Sequence, residues 1–78
     1  MRQKALQLIV TFHTTAEAMA TEQLCKRENL PGRLISAPRT VSADCGIAWC
    51  VPAQSGAPVR QAIDEAGIEV AGYHELLL

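Results

Sequence analysis

The chain has few aromatic residues, no excess charge of either sign and no long apolar run, and each absence removes a class of function. Its 78 residues include three aromatic side chains, Phe12, Trp49 and Tyr73, and 12 alanines, so a core has to come mainly from Leu, Ile and Val. Seven basic residues stand against eight acidic ones, a net charge of -1 with no one-signed tract. That balance lacks the electrostatic footprint of a nucleic-acid module or an anionic-membrane binder. No apolar segment approaches the roughly 20 residues of a membrane span, and the eight mixed residues after Lys4 are too few for a signal peptide's apolar region. The expected location is the cytoplasm. Three cysteines, Cys25, Cys45 and Cys50, are an odd number and argue against a disulfide framework. A chain this short buries only a little over ~60% of its unfolded surface. It is too small for a doubly wound nucleotide-binding fold, a barrel or two domains, so residues 1–78 form one domain.

What is present reads as an α+β pattern. Ala5 to Phe12 alternates, with Leu6, Leu8, Val10 and Phe12 on one face and Ile9 on the other, which is strand periodicity. Thr14 stands three residues before Glu17, the spacing at which hydroxyl and carboxylate cap a helix start reciprocally. The helix runs to about Glu28 with Ala16, Met19, Ala20, Gln23 and Leu24 as its expected buried stripe. Asn29 suits a left-handed stop, and Pro31 forbids continuation. Arg33 to Ala37 is a second strand, Pro38 to Asp44 a loop and Ile47 to Val51 a third strand, apolar on both sides and therefore central. Pro58 opens a second helix with Val59, Ala62, Ile63 and Ala66 at helical spacing, Gly67 closes it, and Ile68 to Leu77 supplies a fourth strand. There is no internal repeat. Right-handed crossovers around a central hairpin give a ferredoxin-like βαββαβ sandwich, an antiparallel sheet of order 4-1-3-2 with both helices on one face.

That topology gathers several reactive residues at one sheet edge: His13 at the end of the first strand, the first helix start, the Pro38 to Asp44 loop and Cys45. A helix amino end and the Arg39 guanidinium both favour thiolate over thiol at Cys45, while Asp44 acts the other way. Gly46 permits close approach to the sulfur. The bland reading of Cys45 is a small apolar residue at a strand entrance. His13 beside Cys45 suggests a nucleophile and base pair, or else a solvated strand end. Arg39 can clamp an anion or stand as a loop charge. Thr14 and Thr15 cap the helix or offer hydroxyls and amides to an anion. Cys50 falls on the opposite face from Cys45, Cys25 at the margin of the first helix's buried stripe, and His74 toward the far end of the fourth strand. Four converging ligands for zinc or iron and sulfur are not in view, and no cofactor is expected.

The run IVTFHTTAEAMATEQLCKRENLPGRLISAPRTVSADCGIAW resembles the small bacterial and archaeal family described as putative selenium/sulfur carrier-like proteins. Phe12, Thr15 and Ala18, the Pro38-Arg39 pair and Cys45-Gly46-Ile47-Ala48 carry the likeness, which covers Leu8 to about Val51. The resemblance implies that Cys45 bears sulfur or selenium as a persulfide or selenopersulfide, that Arg39 binds the anion and that Thr15 belongs to the same pocket. It implies a donor enzyme and an acceptor protein as partners. The alternative is a non-catalytic small-ligand or protein-interaction module. It would act as a homodimer through the sheet face away from the helices, where Ile9, Ala48 and Cys50 form an apolar strip. A stand-alone thiol enzyme using Cys45 and His13 ranks last.

Overall fold

A computed structural model of the chain describes residues 4–41 and 45–78. Its elements are β1 (Leu6–Thr11), α1 (Thr15–Arg27), β2 (Arg33–Ser36), β3 (Ile47–Pro52), a short 3-10 turn (Ala53–Ser55), α2 (Gly56–Ala66) and β4 (Gly72–Leu77). All strand pairs are antiparallel in the order β2-β3-β1-β4, the expected order read from its other edge. Alternation along β1 and β3 divides the apolar residues between two faces. Leu8, Val10, Phe12, Trp49 and Val51 pack on one side with Ala18, Leu24 and Cys25 of α1 and Val59 and Ile63 of α2, so both helices lie on that side. No helix among the described residues is long and apolar enough to cross a membrane.

Both helices stop in the same way. Asn29 takes a left-handed conformation at φ 56°, and the Leu30 N–H reaches back to the Cys25 carbonyl at 2.8 Å. Gly67 repeats this at φ 73°, with the Ile68 N–H on Ile63 at 3.2 Å. In each case a left-handed residue lets the next amide satisfy a free helix carbonyl and turns an apolar residue, Leu30 or Ile68, back onto the core. The second stop shortens β4. It begins at Gly72 instead of Ile68, because residues 68–71 complete the helix stop and carry the chain to the end of β1, where the Ala71 N–H meets the Thr11 carbonyl at 2.7 Å.

The buried stripe of α1 differs from expectation. Ala18, Thr21, Leu24 and Cys25 face the sheet, whereas Ala16, Ala20 and Gln23 are exposed and Met19 is 50% exposed. Small residues at positions 18 and 21 let the helix approach the sheet closely. Thr21 can be buried because its hydroxyl donates to the Glu17 carbonyl at 3.0 Å within the same helix. Cys25 is therefore a core residue and not a marginal one. α2 starts at Gly56, two residues before Pro58, and the proline occupies its first turn, where the missing N–H has no intrahelical acceptor to lose.

The sheet face opposite the helices is the larger correction. Ile9 and Ala48 are 0% exposed and Cys50 2%, so the strip expected to be open to solvent is covered. Val41, Ile35, Ala37 and Leu76 pack there. Val41 reaches the face from a turn in which its N–H bonds to the Pro38 carbonyl at 3.1 Å. The chain covers its own second face, which removes the reason for a dimer through that strip. His74 is also elsewhere than expected: it pairs with Ile9 in mid-strand and shares a cross-strand row with Cys50 and Arg33.

Candidate functional site

Cys45 stands in a turn just before β3. The backbone of the next residue explains the turn: Gly46 has φ 78°, while a Cβ there would meet nothing within 4 Å. The glycine is required by conformation and not by space. Its carbonyl accepts the Ala37 N–H at 3.0 Å, one step beyond the Ser36 and Ile47 pair of the β2-β3 ladder. The base of the loop is thereby closed, and Cys45 is the first residue outside it.

The three cysteines, all among the described residues, are free and differ in access. Cys25 is 1% and Cys50 2% exposed, while Cys45 is half-buried against the helix-side core. Cys45 and Cys50 pack on opposite faces of the sheet, as expected from their odd separation, although Cys45 itself stands in the turn before β3. The Cys45 thiol donates to the Ile47 carbonyl, with Sγ 3.3 Å from the oxygen. No guanidinium or helix amide among the described residues bonds to this sulfur. Its acceptor is a backbone group two residues away, which no side-chain pattern could have revealed.

Burial pushes the Cys25 thiol up from its ordinary value. It does the same to Cys50, with Arg33 pulling more weakly the other way. Both thiols are more readily ionised in the unfolded chain. The stability this confers is whole below the unfolded thiol pKa of about 8.5 and is lost as pH rises through the higher folded values. Chemical denaturation should therefore show stability falling above about pH 8.5, with a shallower fall in Cys50→Ala. An identical alkaline slope in that variant would contradict the assignment. The Cys50 thiol also donates to Gln7 Oε1 at 3.6 Å, so the neutral form has a partner.

The start of α1 brings His13, Thr14 and Thr15 together, all exposed. Thr14 is the capping residue: its Oγ1 accepts the Glu17 N–H at 3.3 Å, and the Glu17 carboxylate accepts the amides of His13 at 3.1 Å and Thr14 at 3.2 Å. The predicted capping box is formed, and its carboxylate occupies two of the amides an external anion would use. Thr15, the first helical residue, lies beside this closed cap. Arg39 is exposed on the Pro38–Val41 turn. Among the described residues no hydrogen bond or ion pair joins it to Cys45. The last residue of that turn, Val41, packs on the sheet face opposite to the one Cys45 joins. Asp44, expected to flank the sulfur, lies outside the described residues. Val41 itself was missed in the sequence, where the signal was a large apolar residue in an otherwise polar loop.

A family model described as "Putative Se/S carrier protein-like" matches residues 7–75, from the second residue of β1 to within two residues of the end of β4. The chain belongs to that family. No curated protein and no solved structure matches it. The match takes in both helices and all four strands except one end residue of β1 and two of β4, so the family assignment extends well beyond the segment around Cys45. Among the described residues no group of three or more His, Cys, Asp or Glu side chains is arranged to hold a metal ion.

Proposed function

We propose that the protein carries sulfur or selenium on Cys45 and passes it to a partner protein. The supporting observation is access: Cys45 is half-buried at a turn, while Cys25 and Cys50 are closed off in the core. Thiol-persulfide exchange requires the attacking sulfur to reach its partner in line, which a fully buried cysteine cannot do without unfolding.

In the forward step the Cys45 thiolate, released from the Ile47 carbonyl, attacks the terminal sulfur of a donor enzyme's cysteine persulfide. The new S–S bond forms on Cys45 as the donor's S–S bond breaks, and the donor leaves as a thiolate. The terminal sulfur keeps its oxidation state, so no external oxidant or reductant enters. In the second step an acceptor nucleophile attacks the same terminal sulfur and Cys45 departs as thiolate. A selenopersulfide follows the same course with selenium as the terminal atom. Arg39, exposed on the loop before Cys45, is the cation we assign to attracting the anionic cargo, and Thr15 and His13, exposed beside the cap that Glu17 closes, are assigned to donating hydrogen bonds to it. Gly46 contributes by holding the left-handed turn that presents the sulfur. Thr14 contributes by holding the helix start in place. We read the framework as ferredoxin-like, a rigid sheet that presents one thiol at its edge.

The test is loading by a cysteine desulfurase and cysteine, read by intact mass. The wild type should gain the mass of one sulfur, Cys25→Ser and Cys50→Ser should gain it too, and Cys45→Ser should not. A gain that survives Cys45→Ser, or no gain on the wild type, overturns the proposal. Selenium supplied to the same donor tests the second cargo by the corresponding mass.

A further inference from the structure

The two edges of the sheet are treated very differently. β2, at one edge, has four residues, lies between Pro31 and Pro38 and carries Arg33, features that discourage strand pairing. β4, at the other edge, has six residues, no proline or lysine, and Glu75 as its one acidic or basic side chain besides His74. Ala5 and Leu78 exchange backbone hydrogen bonds in both directions at 3.1 Å. Antiparallel alternation from that pair turns the amides of Leu76 and His74 toward β1, and those of Tyr73, Glu75 and Leu77 away from the sheet. Leu77 is 63% exposed and Glu75 is exposed, so this row is open.

We infer that β4 pairs antiparallel with β4 of a second copy of this chain, Tyr73 opposite Glu75 in both directions. The register follows from charge. Pairing centred on Glu75 sets two carboxylates directly opposite each other, which is unfavourable. Moving to Tyr73 against Glu75 brings each carboxylate to a ring already covered by a cation, since the Arg60 guanidinium lies 4.3 Å from the Tyr73 centroid. Asp64 also lines the depression beside Tyr73 and opposes this attraction, while the Arg60 guanidinium lies directly over the ring. The symmetry makes the contact self-complementary, so it closes as a dimer and does not propagate. It leaves Cys45, on the loop between β2 and β3, outside the paired edge, and it is independent of the carrier reading.

Sedimentation equilibrium tests it with charge reversals. The wild type should dimerise, and Arg60→Glu and Glu75→Arg should each weaken the dimer about tenfold, since two symmetry-related attractions become repulsions. The double reversal should restore affinity to near wild type. Circular dichroism checks that each variant is folded. Hydrogen exchange on the wild type supplies a second reading that needs no variant: diluting the dimer should speed exchange at Tyr73 and Glu75 and leave His74 unchanged. A wild type that stays monomeric, single reversals without effect, or a double reversal no better than the singles would overturn the inference.

Discussion

Gly32→Ala should remove a large part of the stability of the fold. A Cβ at this position would overlap Trp49 Nε1 and sit 2.5 Å from Cε2, and the backbone there has φ 131°, which side chains rarely adopt. The obstructing atoms belong to a ring that is 2% exposed and wedged in the helix-side core, so they cannot swing away. Overpacking of ~1–3 kcal/mol and a strained φ of ~1–3 kcal/mol act together. A 78-residue domain has on the order of 4–12 kcal/mol in total. Urea unfolding followed by the fluorescence of Trp49, the sole tryptophan, should show a loss of more than about 3 kcal/mol. The cost should shrink markedly in a Trp49→Leu background, followed there by circular dichroism because the fluorophore is gone, since that substitution removes the ring atoms in contact. A loss under about 1 kcal/mol in the wild-type background would show that the glycine is not needed there.

The close approach also explains an unpaired donor. Trp49 Nε1 is buried without an acceptor, a defect of about 1–3 kcal/mol. The indole nonetheless fills the space between β3 and the glycine that begins the entry to β2. In a chain with three aromatic residues, its area outweighs its unsatisfied N–H.

Phe12→Ala is the second large effect. Phe12 is 0% exposed and stands first by volume among the fully buried side chains, at the junction where β1 gives way to the helix start. Truncation should cost about 3–5 kcal/mol through lost transfer energy and the cavity left behind. Leu6→Ala, on the same face at the other end of β1, is the control. Leu6 is 44% exposed and should lose less than about 1.5 kcal/mol. Equal losses at the two positions would mean that the core is not concentrated where β1 meets α1. The same variant should speed hydrogen exchange at the start of α1, since Phe12 anchors the residue before His13 and Thr14.

Much of this protein was legible locally. The alternation of β1, the Thr14 and Glu17 cap, the stops at Asn29 and Gly67 and the strand order all follow from contacts spanning a few residues or from connection rules. The opposite placement of Cys45 and Cys50 followed from strand parity. Access was not legible. That Cys25 is closed off while Cys45 is half open depends on which side of α1 meets the sheet and on the shape of a turn set by Gly46.

The sequence by itself determined the element order, the capping of the first helix and the separation of two cysteines onto opposite faces, because hydrogen bonds within a turn and side-chain alternation depend on near neighbours. Tertiary structure decided which face of α1 is buried. Ala16, Met19 and Ala20 look as apolar as Ala18, Thr21 and Cys25, and only the closeness of helix to sheet selects the smaller set. It also decided that the second sheet face is closed by Val41 and its neighbours and that the β4 edge is open. Those outcomes depend on residues far apart in the chain meeting in space, which no local pattern records.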